Sequence, residues 1–487
     1  MASKLLNSYG LFGIISVVLL YMGFSLNSYG AADFIRHYDI SYTFMNDPKT
    51  FPEFHFSGIF LTFDRWSEST VLGRLAKSRR DGLLSSGGFV GRFYGNSPDL
   101  PAGVDARRFE HAYQYKIYLD ESMDSNSDNF YPYKSHFGGQ ALVLSVLDRV
   151  IGGDNSFKLA FYYHFMSAMS AIMISLIIFW FAKESGLFTG WLLIISYCLF
   201  CYPTLFAKSL WWALWAFYIP FVFFLYMLRR EELVLKQFSN ANLFAIGFFA
   251  MMIKMFFNGF EFICTVGFMT LVPLVYYALK NRWNYRLFLI RAVSSIFGIS
   301  VAVLTSCLLL CMQFTLVDEK FGDGVAHLHD CFLRRTGIGN TVTATEVELE
   351  QRGQTNLSSI LKYYVSAPVV VDLNSLGIKP TISTGPLLIL FNSVAVLLFF
   401  VEVVCKRNTT CHSIKALIVS QWFSIIPPLS WFLLFKQHSF IHKPQDPIVW
   451  YMPYMFFGIA LCGVSLRRII GVVRGKLIIR NKASGVG

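Results

Sequence analysis

The sequence predicts an all-α integral membrane protein with about ten transmembrane helices, and three observations carry that expectation. Of the 487 residues, 54% are hydrophobic and 15% charged, whereas a soluble chain carries roughly 25% charged residues. The apolar residues fall into runs of about 20, the length that crosses a hydrocarbon core. Short basic clusters flank those runs on alternate sides, as the positive-inside rule requires.

In chain order, the runs place helices near 11–28, 158–182, 187–206, 209–228, 241–258, 262–279, 287–315, 386–404, 414–435 and 449–466. The first run follows Lys4 and precedes small residues, which also fits a cleaved leader; with so many further spans, an uncleaved first helix is the preferred reading. Lys183, Arg229 to Glu232, Lys280 to Arg286, Lys406-Arg407 and the tail from Arg467 to Lys482 then share one side. That side is the cytoplasm, with both termini. The chain thus divides into a first helix (1–28), a large outer loop (29–157), helices two to seven (158–315), a second outer loop (316–385), helices eight to ten (386–466) and a basic tail (467–487).

The first outer loop is patterned, with apolar clusters at Ile59 to Leu61, Phe89-Val90 and Tyr113 to Tyr118 and turns at Gly87-Gly88 and Gly138-Gly139. It predicts a mainly helical outer subdomain. Val71 to Leu84 interleaves apolar residues with Arg74, Lys77, Arg79 and Arg80, which suits either a helix on the membrane surface or a solvated one. No internal repeat is evident.

The net charge of +12 does not imply nucleic acid, because the basic residues border apolar runs instead of forming one patch. Cys331 is alone in the two large loops, so neither loop is a disulfide domain. The Cys198–Cys201 spacing lies inside an apolar run, where packing is the simpler account.

Several segments hold groups that could carry chemistry. Asp64 and Glu68, four apart beside Trp66, would share a helical face and suit sugar chemistry, with one carboxylate acting as general base; the bland alternative is a pair of surface acids bridged to Arg65 or Arg74. Asp33 and Asp39, just beyond the first helix, are equally placed for that role. Lys134 and His136 could hold a phosphate or simply snorkel at the interface. Lys254 and Glu261 are intramembrane ionisable groups, functional by default, and could equally pair across the turn between two helices. Lys208 sits in a tight outer turn. Lys436, His438, His442 and Lys443 crowd a short outer loop and suit an anion. The two histidines alone are too few ligands for zinc, and no metal or other cofactor is expected.

These segments resemble a family. Asp64-Arg65-Trp66-Ser67-Glu68-Ser69 with Gly73-Arg74-Leu75 is similar to large bacterial GT-C-type glycosyltransferases, as are Ser135 to Gln140, Leu210 to Pro220, Lys254 to Phe262 and His438 to Tyr454. Length and layout also resemble the phage-encoded serotype-converting glucosyltransferases that decorate O-antigen. The resemblance implies a GT-C-like fold in the bacterial inner membrane with a periplasmic site. It implies inverting transfer of a hexose, glucose by analogy, from undecaprenyl-phosphate-glucose to O-antigen or another surface glycan. The catalytic acid maps to Asp64 or Glu68, with Asp33 and Asp39 as alternatives; Lys134, His136, Lys208, Lys254, Lys436, His438, His442 and Lys443 map to the donor phosphate, and Trp66 and Glu261 to the sugar. A donor synthase and a donor flippase are the implied functional partners, with membrane lipid as surroundings and no nucleic acid. The competing classes are a flippase or transporter of lipid-linked glycans, which would show repeats and mid-membrane charge, and an O-antigen polymerase or ligase.

Overall fold

The computed structural model describes residues 2–26, 58–94, 106–120, 129–234, 237–317, 319–338, 356–369, 382–404, 412–442 and 445–483. Asp33, Asp39 and Lys443 lie outside them. The architecture is almost entirely helical: α1 (Ala2–Leu26), α2 (Arg65–Asp81), α3 (Ala106–Leu119), α4 (Gly139–Val150), α5 (Asn155–Ser185), α6 (Leu187–Leu199), α7 (Cys201–Ala207), α8 (Leu214–Val234), α9 (Asn240–Asn258), α10 (Ile263–Lys280), α11 (Tyr285–Phe314), α12 (Phe321–Thr336), α13 (Leu357–Ser366), α14 (Thr384–Val404), α15 (His412–Phe423), α16 (Ile426–Leu434), α17 (Lys436–Ile441) and α18 (Tyr454–Ala483).

Among the described residues, eight segments are long and apolar enough to cross a membrane: Ser8–Leu26, Asn155–Ser185, Asn240–Asn258, Ile263–Lys280, Tyr285–Val317, Thr384–Glu402, His412–Leu434 and Tyr454–Val473. Each answers to one of the expected spans. The two remaining runs behave differently, for local reasons. The run at 187–206 breaks at Phe200, whose extended backbone separates α6 from the short α7. The run at 209–228 becomes α8, which carries Arg229, Arg230, Glu231 and Glu232 in its last turns and is buried along most of its length.

The ends of α8 mark two levels of the bundle. Arg229 pairs with Glu184 at 2.5 Å, Lys280 bridges Glu184 and Glu232 at 2.7 and 2.8 Å, and Arg291 grips Glu231 in a fully buried pair. Arg468 pairs with Glu402 at the same end of the chain's helices. At the other end of α8, the turn 208–213 reaches the first large loop. Its 21 residues span about 31 Å at 1.5 Å per residue, the depth of a bilayer core.

The first large loop is a small subdomain of α2, α3, α4 and a two-stranded antiparallel ribbon, β1 (Gly91–Phe93) with β2 (Phe130–Pro132). Neither reading of its basic helix holds. Val71, Leu72 and Leu75 are fully buried, but so is Arg74, which bonds back to Ser85 O at 2.6 Å. The helix is a packed core element. Gly73 permits this, since a side chain there would meet Gly91 O at 2.3 Å. The subdomain is tied to the span α5 through Asp148 of α4. Its carboxylate accepts Arg79 Nε at 2.5 Å and Nη2 at 2.7 Å, Tyr118 OH at 3.1 Å and Tyr162 OH at 2.7 Å.

Candidate functional site

The two acids of the first loop do not share a helical face. Asp64 precedes α2 as its N-cap, with Oδ1 accepting the Ser67 amide at 3.1 Å and Oδ2 accepting Trp212 Nε1 at 2.8 Å. An aspartate in this place is a strongly favoured cap. Glu68, one turn inside the helix, points into the protein. Its Oε2 accepts hydroxyls from Thr62 at 2.7 Å, Tyr115 at 3.0 Å and Tyr163 at 3.2 Å, and its Oε1 accepts the Leu210 amide at 3.1 Å. Four donors and complete burial make Glu68 a clasp between the loop, α5 and the turn before α8. Burial raises its carboxyl from 4.5 to about 7, against the pull of Thr62, Leu210 and Tyr115 and with a smaller push from Asp64. Lys208 is fully buried near it; burial lowers its ammonium to about 7, with Glu68 opposing and Arg65 assisting.

A second cluster gathers around Glu261. Its Oε1 accepts Arg335 Nη2 of α12 at 2.8 Å, and its Oε2 lies 3.2 Å from His438 Nε2. Burial acts to raise the Glu261 carboxyl, but Arg335 and His438 override it and hold it well below the ordinary range. Lys254 does not pair with that carboxylate. Its Nζ donates to two backbone carbonyls, Gly259 at 2.8 Å and Glu261 at 2.5 Å, so it closes the turn between α9 and α10. The rings of His438 and His442 stand 4.3 Å apart. Burial lowers His438 to about 3, His442 adding to the effect, and lowers His442 also. Both imidazoles are therefore neutral near pH 7 and serve as hydrogen-bonding groups, not charges. Arg335 is the fixed cation.

Tryptophans join the clusters. Trp212, bonded to Asp64, stacks on Phe262 with centroids 5.8 Å apart; Phe262 meets Trp431 at 4.9 Å, and Trp431 meets His438 at 5.5 Å. Trp431 Nε1 donates to the buried Asp446 at 2.6 Å. The Asp64 charge is also felt at His442, where it favours the protonated ring. A second aromatic path runs inward from the surface. Trp66 is 44% exposed, carries Arg92 over its face at 4.0 Å and leads through Tyr133 and Trp211 to His136. His136 is buried, accepts the Gly138 amide at 3.0 Å and packs on Gly259, where a side chain would strike its ring at 3.1 Å.

Asp64, His136, Lys208, Lys254, Glu261, His438 and His442 are thus brought to one end of the bundle. Lys134 stands apart in an ion pair with Glu319, and Lys436 is exposed. Sequence reasoning missed Arg335 and Asp446. Only the position of Arg335 in the last turn of a strongly amphipathic helix could have drawn notice, whereas Asp446 carries no local signal.

Beside Arg335 lies an apolar cavity of about 280 Å³, walled by Ile263, Val303, Phe260, Leu328, Phe332 and Phe435. It sits between α10, α11 and α12, at the upper ends of two spans. Comparison with protein-family models, curated proteins and solved structures finds no match.

Proposed function

We propose that this chain is a GT-C-type membrane glycosyltransferase. It transfers a hexose, glucose by resemblance, from an undecaprenyl-phosphate sugar to O-antigen or another surface glycan, with inversion. The site then faces the periplasm of a bacterial inner membrane, both termini are cytoplasmic, and α6–α7 and α8 complete ten crossings.

The observation that carries this reading is that Asp64 is joined through Trp212, Phe262 and Trp431 to the Arg335–Glu261–His438–His442 network, from segments far apart in sequence. In the proposed reaction Asp64 takes the proton of the acceptor hydroxyl as that oxygen attacks the anomeric carbon. Asp64 suits the role because its acceptors are satisfied by one amide and one indole, leaving lone pairs for a substrate. Glu68 is fully buried and already accepts four donors. Arg335, with one of its five donors on Glu261, offers the rest to the departing phosphate, and neutral His438 and His442 add N–H groups. The isoprenoid chain lies in the apolar cavity beside Arg335. Trp66, partly exposed, supplies a ring for the acceptor sugar.

Lys254 would favour a transporter if it were a mid-membrane charge open to a pathway; its two carbonyl bonds make it a structural clasp instead. Expression in a cell of known O-antigen, followed by glycan mass spectrometry and NMR, tests the proposal. A new hexose branch that disappears in Asp64→Asn supports it. An unchanged glycan with a redistributed lipid carrier replaces it with the flippase reading.

A further inference from the structure

On the side of α12 that faces the cavity, three polar groups meet among apolar neighbours. His327 and Cys331, four apart, share a helical face. The Cys331 Sγ lies 3.4 Å from His327 Nε2, Ser135 Oγ lies 3.0 Å from the same nitrogen and 3.4 Å from the sulfur, and Arg334 Nη2 donates to the sulfur at 3.4 Å. All but Arg334 line the apolar cavity. We propose that Cys331, with His327 and Ser135, is a nucleophilic thiol centre that accepts an aliphatic acyl group from an ester whose chain lies in this cavity.

The geometry supplies each part. The thiolate is the reactive form of cysteine, and His327 Nε2, 3.4 Å from the sulfur, is within reach to take its proton. Arg334 at the sulfur and Arg335 one turn on stabilise the negative charge; Ser135 donates to it; Cys307 on the cavity wall, Tyr133 and, beyond Arg335, Glu261 are further titratable groups around it among the described residues. Burial alone would raise the thiol, but His327, Ser135 and Arg335 bring it down from 9.0 to about 6. Cys307 aside, aliphatic and aromatic carbon walls the rest of the space, and Phe332 at its edge is 52% exposed. An uncharged chain is therefore matched to the cavity, and a small hydrophilic electrophile is not.

The reaction balances without an oxidant. The Cys331 thiol gives its proton to His327, Sγ bonds to the ester carbonyl carbon, and a tetrahedral oxyanion forms. The carbonyl re-forms as the ester C–O bond breaks. The leaving alkoxide takes the electron pair and the proton from His327, giving a thioester and an alcohol. Membrane lipids are the natural class of ester in contact with the ends of α10 and α11. The cavity is the one the glycosyltransferase reading gives to the isoprenoid chain, so the two chains compete for one space; acylation of Cys331 and hexose transfer are separate readouts, and either reading can fail without the other.

The test uses the full-length protein in detergent with p-nitrophenyl octanoate and p-nitrophenyl acetate as probes. The expected result is a burst of one equivalent of p-nitrophenolate with octanoate, at least about tenfold faster than with acetate because methylenes are buried. The acyl group should map by peptide mass spectrometry to Cys331, remain in Cys307→Ser and vanish in Cys331→Ser. The burst rate should titrate with a midpoint near 6, and His327→Gln should move that midpoint toward the ordinary thiol value of about 8.5. Equal rates for the two esters, a midpoint near 8.5 in the unaltered protein, or acyl label on Cys307 would overturn the proposal. The first two readouts need no variant, so a misfolded His327→Gln protein does not rescue it.

Discussion

Asp64→Asn and Glu68→Gln are both one-atom changes to neighbouring acids, and their effects should fall on different observables. In Asp64→Asn the cap bond to Ser67 survives, because asparagine caps as well as aspartate. The bond from Trp212 Nε1 at 2.8 Å then meets an amide nitrogen, at a cost of about 1–3 kcal/mol for a buried donor left unpaired. Loss of a general base lowers the chemical step by about 10²–10⁴-fold, or roughly 3–5 kcal/mol in the barrier, which exceeds the structural effect. In Glu68→Gln the balance reverses. One oxygen that accepts three hydroxyls, or the other that accepts the Leu210 amide, becomes a donor, again costing about 1–3 kcal/mol. The variant also loses a pH dependence. Because the Glu68 carboxyl is raised from 4.5 to about 7, its contribution to stability is complete below pH 4.5 and is lost as pH rises through 7. At about 1.4 kcal/mol per pH unit that loss is about 3 kcal/mol. The assay pairs thermal unfolding in detergent at pH 5 and 8 with hexose transfer to a lipid-linked acceptor. Asp64→Asn should retain the pH dependence of stability and lose transfer; Glu68→Gln should flatten that dependence and retain transfer in the folded fraction. An active Asp64→Asn beside an inactive, fully folded Glu68→Gln would refute the assignment of roles.

Three further outcomes follow from named contacts. Arg335→Gln leaves Glu261 buried without its guanidinium and should destabilise the protein by about 3–5 kcal/mol; the double variant Arg335→Gln/Glu261→Gln should regain stability in calorimetry but not donor binding, and full recovery of both would show the pair to be structural only. Asp148→Asn removes the bidentate acceptor of Arg79 and should cost about 3 kcal/mol, the low end for a buried pair. Burial acts to raise Asp148, but Arg79 and Tyr162 hold it below 3.8, so its contribution is present above pH 3.8 and lost as pH falls further. The variant should therefore show a shallower acid limb in unfolding monitored by tryptophan fluorescence. Trp66→Cys, at a half-exposed position, should react with a membrane-impermeant maleimide in intact spheroplasts; reaction only after the inner membrane is opened would place the site in the cytosol and end the donor-sugar proposal.

The fold was legible because hydrocarbon imposes a length. Eight apolar runs appear as helices that overlap the stretches where their hydropathy put them, the last running on to Ala483, and Lys183, Arg229, Lys280 and Arg467 collect near one end, as charge at short loops should. Where the helices depart from the hydropathy runs, the cause is local packing among the helices. The run at 187–206 is apolar enough to read as a span, yet hydropathy cannot see that Phe200 turns the chain. In α8 the reverse holds: Arg229 to Glu232 look like a loop but continue the helix, because Glu184, Lys280 and Arg291 neutralise them from neighbouring helices.

The site was legible as residues but not as partnerships. A spacing of four predicts one face only inside a helix, and Asp64 lies outside α2 as its cap, so the two carboxylates diverge toward Trp212 and Tyr115. Lys254 and Glu261 are indeed close, but the short turn between α9 and α10 offers Lys254 two carbonyls before it offers a carboxylate. That leaves Glu261 free to be claimed by Arg335, from a helix some seventy residues later. The consequence is chemical. Had Lys254 neutralised Glu261, the arginine would be an orphan cation at the mouth of an apolar cavity; with Glu261 holding a single Nη2, Arg335 is both charged and aimed, its remaining donors fixed by an ion pair that costs no further ordering when an anion arrives. A guanidinium held on Glu261 from a helix so much later in the chain is an arrangement that distant parts of the sequence must build together, and no window of local sequence contains it.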